Sequence, residues 1–153
     1  MTINGKDYEL NEEYSISPNI IMKTKIGGEL ICVGLGIEED GYNSYQGLNV
    51  TNKAVLIIEG KPKKAKLEKE WTIKDKIALA KEKGAAVVFY ESKKLGESLI
   101  KYEHYFSKPK LALVDDIKEK EAITIGLTAE VTESLLESNK IKSKKLIIKT
   151  DAR

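Results

Sequence analysis

The 153-residue sequence predicts a mixed, β-rich α/β fold in which mixed sheets are flanked by two or three helices. Three observations carry that expectation. Short, largely β-branched runs, Leu30-Ile31-Cys32-Val33, Ala54-Val55-Leu56-Ile57-Ile58 and Ala85-Ala86-Val87-Val88-Phe89-Tyr90, are bounded by glycine or proline, as buried strands are. A capped helical pattern lies between the second and third runs, so Ala54 to Tyr90 reads as a βαβ crossover. The length fits one domain, and 41% apolar with 33% charged residues is enough to bury a core. Residues 1–153 are therefore one unit, with a core over about 20–150 and residues 1–19 as an N-terminal extension or a link to a host domain.

Each element follows from local signals. Asn4 to Tyr8 reads as a turn, and Asn19 to Ile26 has the apolar density of a strand that Gly27-Gly28 ends. Leu30 to Val33 suits a strand covered on both faces, continued by Gly34-Leu35-Gly36-Ile37. Glu38-Glu39-Asp40-Gly41 is an acidic turn, and Tyr42 to Gly47 lacks periodicity and reads as a loop. Ala54 to Ile58 is a buried strand closed by Gly60 and Pro62. Thr72 is a helix N-cap with Asp75 three residues on, Ile73, Ile77 and Ala80 share one face, and Gly84 stops the helix. A strand over 85–90 follows. The stretch to Pro109 is irregular, with room for a short helix near Leu95 to Ile100. Leu111 to Val114 and Ala122 to Ile125 suggest a hairpin. Thr128 caps a second helix with Leu127, Val131 and Leu135 on one stripe, ending near Asn139, and Leu146-Ile147-Ile148 is a closing strand.

Composition narrows the chemistry. One cysteine, Cys32, and one histidine, His104, are too few for the usual zinc ligand sets. A catalytic triad would run entirely through His104, which no motif surrounds. No apolar stretch is long enough for a membrane span. Net charge is +2, yet residues 1–50 carry −5 and residues 51–153 carry +7. Much of that basic excess lies in the lysine-rich loop 61–69. Among the 26 basic residues only Arg153 is arginine, which speaks against nucleic-acid recognition, where the guanidinium fork is favoured. The loop reads as a solvated charge run.

Other candidates reduce to structure. In Gly34-Leu35-Gly36 the third glycine of a dinucleotide fingerprint is Glu39, a negative group where a pyrophosphate would approach, so no cofactor is expected. Glu38-Glu39-Asp40 and Asp115-Asp116 lack the spacing of a calcium loop. Asn49-Val50-Thr51 matches a glycosylation sequon too short to carry weight. Cys32, in an apolar strand, is expected to be buried. The aromatics Tyr42, Tyr45, Tyr102, Tyr105 and Phe106 stand in polar, irregular segments, where they serve either as core under loops or as anchors for a partner.

In order and spacing, four segments resemble the protease-associated (PA) domain, in the form inserted in secreted zinc aminopeptidases. Glu29 to Ile37 resembles the family's "vfvGyGi" strand, with Leu35 for its tyrosine. Tyr42 to Ile58 is similar to "ydDy.gldvkGKivlv", keeping Tyr45, Gly47-Leu48, Val50 and Lys53. Lys76 to Val88 resembles the helix and "A.kkGAaavi" strand, and Ile123 to Leu136 the late strand and helix. The family's acidic pair is Asn43-Ser44 here, its glycine before Lys53 is Asn52, and the proline before the late strand is absent.

The resemblance implies a swivelling β/β/α fold with terminal strands near each other, and a non-catalytic module for protein or peptide interaction or substrate access. Its partner would be a peptidase catalytic domain in the same polypeptide, or a protein or peptide substrate, with no nucleic acid and no membrane span. It implies no metal or cofactor and no catalytic residue in this chain, although the parent would be a zinc aminopeptidase. Tyr42, Asn43 and Tyr45 would form the binding rim. Relatives imply export, to the periplasm, cell envelope or medium. The alternatives are a small free-standing hydrolase using Asp40 or Asp115, and a self-contained peptide or cargo receptor.

Overall fold

The computed structural model describes residues 2–3, 6–9, 13–17, 25–101, 122–139 and 146–149. Its centre is a five-stranded sheet. The strands are β3 (Tyr14–Ser17), β5 (Leu30–Cys32), β8 (Ala54–Ile57), β9 (Val87–Glu91) and β10 (Ile123–Leu127), in the order β3-β10-β9-β8-β5. β5, β8, β9 and β10 run parallel, and β3 closes one edge antiparallel to β10. A second, antiparallel sheet joins β1 (Thr2–Ile3), β2 (Lys6–Asp7), β4 (Lys25–Gly28) and β11 (Leu146–Lys149) in the order β2-β1-β11-β4. A hairpin of β6 (Glu38–Glu39) and β7 (Tyr42–Asn43) stands apart from both. The helices are α1 (Ile73–Glu82), α2 (Leu95–Lys101) and α3 (Ala129–Asn139). The fold is thus β-rich mixed α/β, and β1 lies beside β11, with Thr2 opposite Lys149.

Strand alternation divides the core. Ala54, Leu56, Val87, Phe89, Ile125 and Leu127 point to one face, where Ile3, Tyr8, Tyr14 and the α3 residues Val131 and Leu135 cover them. Val55, Ile57 and Val88 point to the other, against Val33, Tyr45, Val50, Ala85 and the α1 residue Ala80. β8 is buried at all four positions because both faces are covered. The crossover from β8 through α1 to parallel β9 is the predicted βαβ unit. Both halves of the Thr72–Asp75 capping box form, with Asp75 N–H donating to the Thr72 hydroxyl and Thr72 N–H to the Asp75 carboxylate. Burial is displaced around the helix from the expected stripe. Ile73 is exposed, Ile77 half-buried, and Lys76 joins Ala80 on the buried side.

Several expectations are corrected. β5 is an edge strand, so Cys32 is exposed instead of buried. Gly34 and Gly36 do not extend it; with φ of 60° and 66° they form a turn that returns Ile58 N–H to the Gly34 carbonyl. A Cβ on Gly36 would lie 3.2 Å from the Ile57 side chain. Gly27 and Gly28 are the last two residues of β4 and pair with Ile147 and Leu146, so the strand ends at this glycine pair but includes it. β10 inserts between β9 and β3, and the 111–114 half of the expected hairpin lies outside the described residues, as do residues 18–24. Ile3 of β1, Tyr8 just after β2 and Tyr14 of β3 lie in the core. Asn52, which stands where the resembling family has glycine, has φ 59° and donates its N–H to the Gly84 carbonyl. Asparagine is among the few residues with a side chain that adopt this conformation readily.

Candidate functional site

The acidic turn is the tip of a two-residue hairpin. Glu39 pairs with Tyr42, leaving Asp40-Gly41 as the connection, and Gly41 takes φ 85°. Asn43 and Ser44 close its base. The Asn43 amide donates to Glu38 at 2.9 Å and its carbonyl accepts the Tyr45 N–H at 2.8 Å, while Ile37 and Ser44 exchange two hydrogen bonds. Asn43 and Ser44 therefore serve the hairpin itself. Glu38 also meets Lys83 at 2.6 Å, and the Lys83 ammonium lies 5.1 Å from the centre of the Tyr45 ring, so the C-terminus of α1 is tied to the hairpin.

The lysine-rich loop between β8 and α1 folds back against this hairpin. At its start, buried Lys76 donates from Nζ to the Gly60 carbonyl at 3.1 Å. Burial draws the Lys76 ammonium below the ordinary lysine pKa, against the opposing charge of Glu59. At its end, the Glu39 carboxylate accepts the Glu68 N–H at 2.7 Å, the Lys69 N–H at 3.4 Å and the Trp71 indole N–H. Lys69 stacks over Trp71 at 4.2 Å and reaches Asp75 at 3.8 Å. The Glu68 backbone N–H first, then the Trp71 indole, hold the Glu39 carboxyl below the ordinary glutamate range.

Between hairpin and loop lies an open cleft of about 590 Å³. Gly41 and Tyr42 line one side, Lys61, Lys63 and Lys64 the other, with Leu35, Pro62 and Ala65 supplying apolar surface. Of the three rim residues expected from sequence, the structure brings only Tyr42 to this cleft. Asn43 is exposed, but its side chain is occupied within the hairpin. Tyr45 is buried instead, in the α1-side core with Val50 and Ala85. The lysines of the loop are exposed, as a solvated run would be, and Lys61, Lys63 and Lys64 line the cleft; the clamp at the end of their loop joins positions 29 to 32 residues apart. Asp40 is exposed at the hairpin tip. His104, Tyr102, Tyr105, Phe106, Asp115 and Asp116 lie outside the described residues. Among the described residues no three His, Cys, Asp or Glu side chains converge as metal ligands, and no helix is long and apolar enough to cross a membrane.

A titration of Trp71, the chain's only tryptophan, tests the clamp. Because the Glu39 pKa is depressed in the fold, its contribution is present above the ordinary glutamate value of about 4.3 and is lost as pH falls through the lower folded value. Trp71 emission is expected to shift with a midpoint below that ordinary value. Glu39→Gln should show the acid-like emission already at neutral pH, with faster tryptic cleavage after Lys63, Lys64 or Lys66. Unchanged emission and cleavage in Glu39→Gln would refute the clamp.

No protein-family model matches the chain, and no curated protein does. Among solved structures, the chain is similar to the aminopeptidase from Aneurinibacillus sp. strain AM-1, with 18% sequence identity and a TM-score of 0.49. The match covers 85% of this chain and 26% of that enzyme, so the chain spans about a quarter of its structural relative.

Proposed function

We propose that the chain is a non-catalytic protease-associated-type domain that mediates protein or peptide interaction, or governs substrate access, for a zinc aminopeptidase-type host. The observation that carries this reading is the cleft of about 590 Å³ between the Asp40-Gly41 hairpin and the loop that Lys76 and Glu39 anchor. A concave surface held on both sides by fixed hydrogen bonds binds with less ordering cost than a free loop. It stands in the segment whose motifs resemble that family. β1 beside β11 suits a domain placed within a longer chain. Such a module alters peptidase selectivity by occluding a cleft or extending its rim, without a nucleophile or metal of its own. Export belongs to the same proposal, through the resemblance alone.

The test is selectivity. Removing this segment from the native polypeptide is expected to change the ratio of kcat/KM between short and long peptide substrates by about 5-fold or more, on the order of 1 kcal/mol in transition-state discrimination. The segment alone is expected to hydrolyse none of them. An unchanged ratio after removal would overturn the reading. Turnover by the segment alone, abolished in Asp40→Asn, would establish the carboxylate hydrolase instead.

A further inference from the structure

We propose that the cleft between Tyr42 and the lysine loop binds short acidic peptide segments, with carboxylates against Lys61, Lys63 and Lys64 and one apolar side chain against Tyr42 and Leu35. This deepens the peptide-interaction reading and rests on it. Five observations point the same way. Lys63 and Lys64 are exposed and form no ion pair among the described residues. The partner of Lys61, Glu70, is held at 3.2 Å in a pair whose side chains are 79% and 80% exposed, an attachment weak enough to exchange for a ligand carboxylate.

Two of the nearby carboxylates are engaged elsewhere, and the third, Asp40, stands exposed at the hairpin tip with no ion pair to these lysines among the described residues. Glu38 is taken by Lys83 and Asn43, and Glu39 by three N–H groups. The lysine wall is also positioned in advance, since the loop is fastened at Gly60 and again at residues 68–71. Finally, the volume falls within the range of about 300–1,000 Å³ typical of ligand clefts, and the lining alternates cation with apolar surface.

A nucleic acid fits less well. The wall contains no arginine fork for phosphate, and Tyr42 is the only aromatic among the residues that line the cleft.

Fluorescence anisotropy decides the matter, using a labelled heptapeptide of glutamates around a central leucine and its glutamine counterpart. At about 50 mM salt the acidic peptide is expected to bind at least ~10-fold more tightly than the glutamine peptide, and to weaken as salt is raised. Lys63→Glu/Lys64→Glu, and the milder Lys63→Gln/Lys64→Gln, should each lose most of that preference. Tyr42→Ala should weaken both peptides several-fold, whereas Lys94→Glu, outside the cleft, should change neither. Trp71 emission and circular dichroism confirm that each variant is folded. Equal binding of both peptides with no effect of the lysine variants would overturn the acidic cleft but leave peptide interaction standing. Binding of neither peptide would overturn both. Tighter, lysine-dependent binding of an oligothymidylate or of phosphatidylserine vesicles, with no acidic-peptide binding, would assign the cleft to those ligands instead.

Discussion

Phe89→Ala is expected to lower stability by about 3–5 kcal/mol, and Tm by on the order of 10 °C in a domain of this size. Phe89 is completely buried and lies on β9, in the middle of the five-stranded sheet. Leu56 on β8 and Ile125 on β10 stand in register on either side of it. Ile3, Tyr8, Tyr14, Val131 and Leu135 complete the same apolar cluster. These neighbours belong to two sheets and a helix, so they cannot all relax into the space left by the ring, and the cavity cost adds to the lost transfer energy. Leu48→Ala provides the contrast: Leu48 is 42% exposed, and its loss should change stability by no more than about 0.5 kcal/mol. Chemical denaturation of both variants checks the pair. A Phe89→Ala cost under about 1 kcal/mol would mean that this face of the sheet is not packed as described.

The legible parts of this fold are those whose signals are local. The Thr72–Asp75 cap, the apolar run of β8 and the glycine after α1 each act within a few residues, and the structure realises the βαβ unit they predict. Strand order is not local. Leu30 to Cys32 is as apolar as a central strand, but no residue within it records that β5 is paired along one edge only, by β8, and Cys32 is exposed as a result. Tyr14 to Ser17 is short and half polar, so nothing nearby announces its pairing with Thr124 to Leu127, more than a hundred residues away. The Asp40-Gly41 hairpin did have a local sign, the Asp-Gly dipeptide, but the acidic run around it read as a solvated turn. The site divides in the same way. Tyr42 was legible as an aromatic in a polar loop. The lysine wall was legible as charge, while its anchoring depended on Glu39 and Lys76 reaching across the fold.

Tyr45 offers the sharpest separation of core from rim. Tyr45→Ala is expected to cost about 3–5 kcal/mol, because the ring fills the space between Val33, Val50, Val55 and Ala80 and also carries Lys83 over its face. Tyr45→Phe should be neutral or stabilising by about 1 kcal/mol. The phenol oxygen is buried and finds no hydrogen-bond partner among the described residues, so removing it relieves a desolvation cost and breaks no bond. The alkaline limb gives a second readout. Burial, and then the charge of Glu38, push the Tyr45 hydroxyl up to about 12. A raised folded pKa means stability that is complete below the ordinary tyrosine value near 10 and is lost as pH rises through the folded value. Wild-type stability should therefore fall between about pH 10 and pH 12, and Tyr45→Phe should fall less steeply; Tyr14, also raised to about 12, keeps the remainder. Had Tyr45 belonged to a binding rim, Tyr45→Ala would leave Tm near wild type and weaken peptide binding. For Tyr42→Ala, three residues earlier in the chain, that second pattern is the one expected, since its half-buried ring lines the cleft.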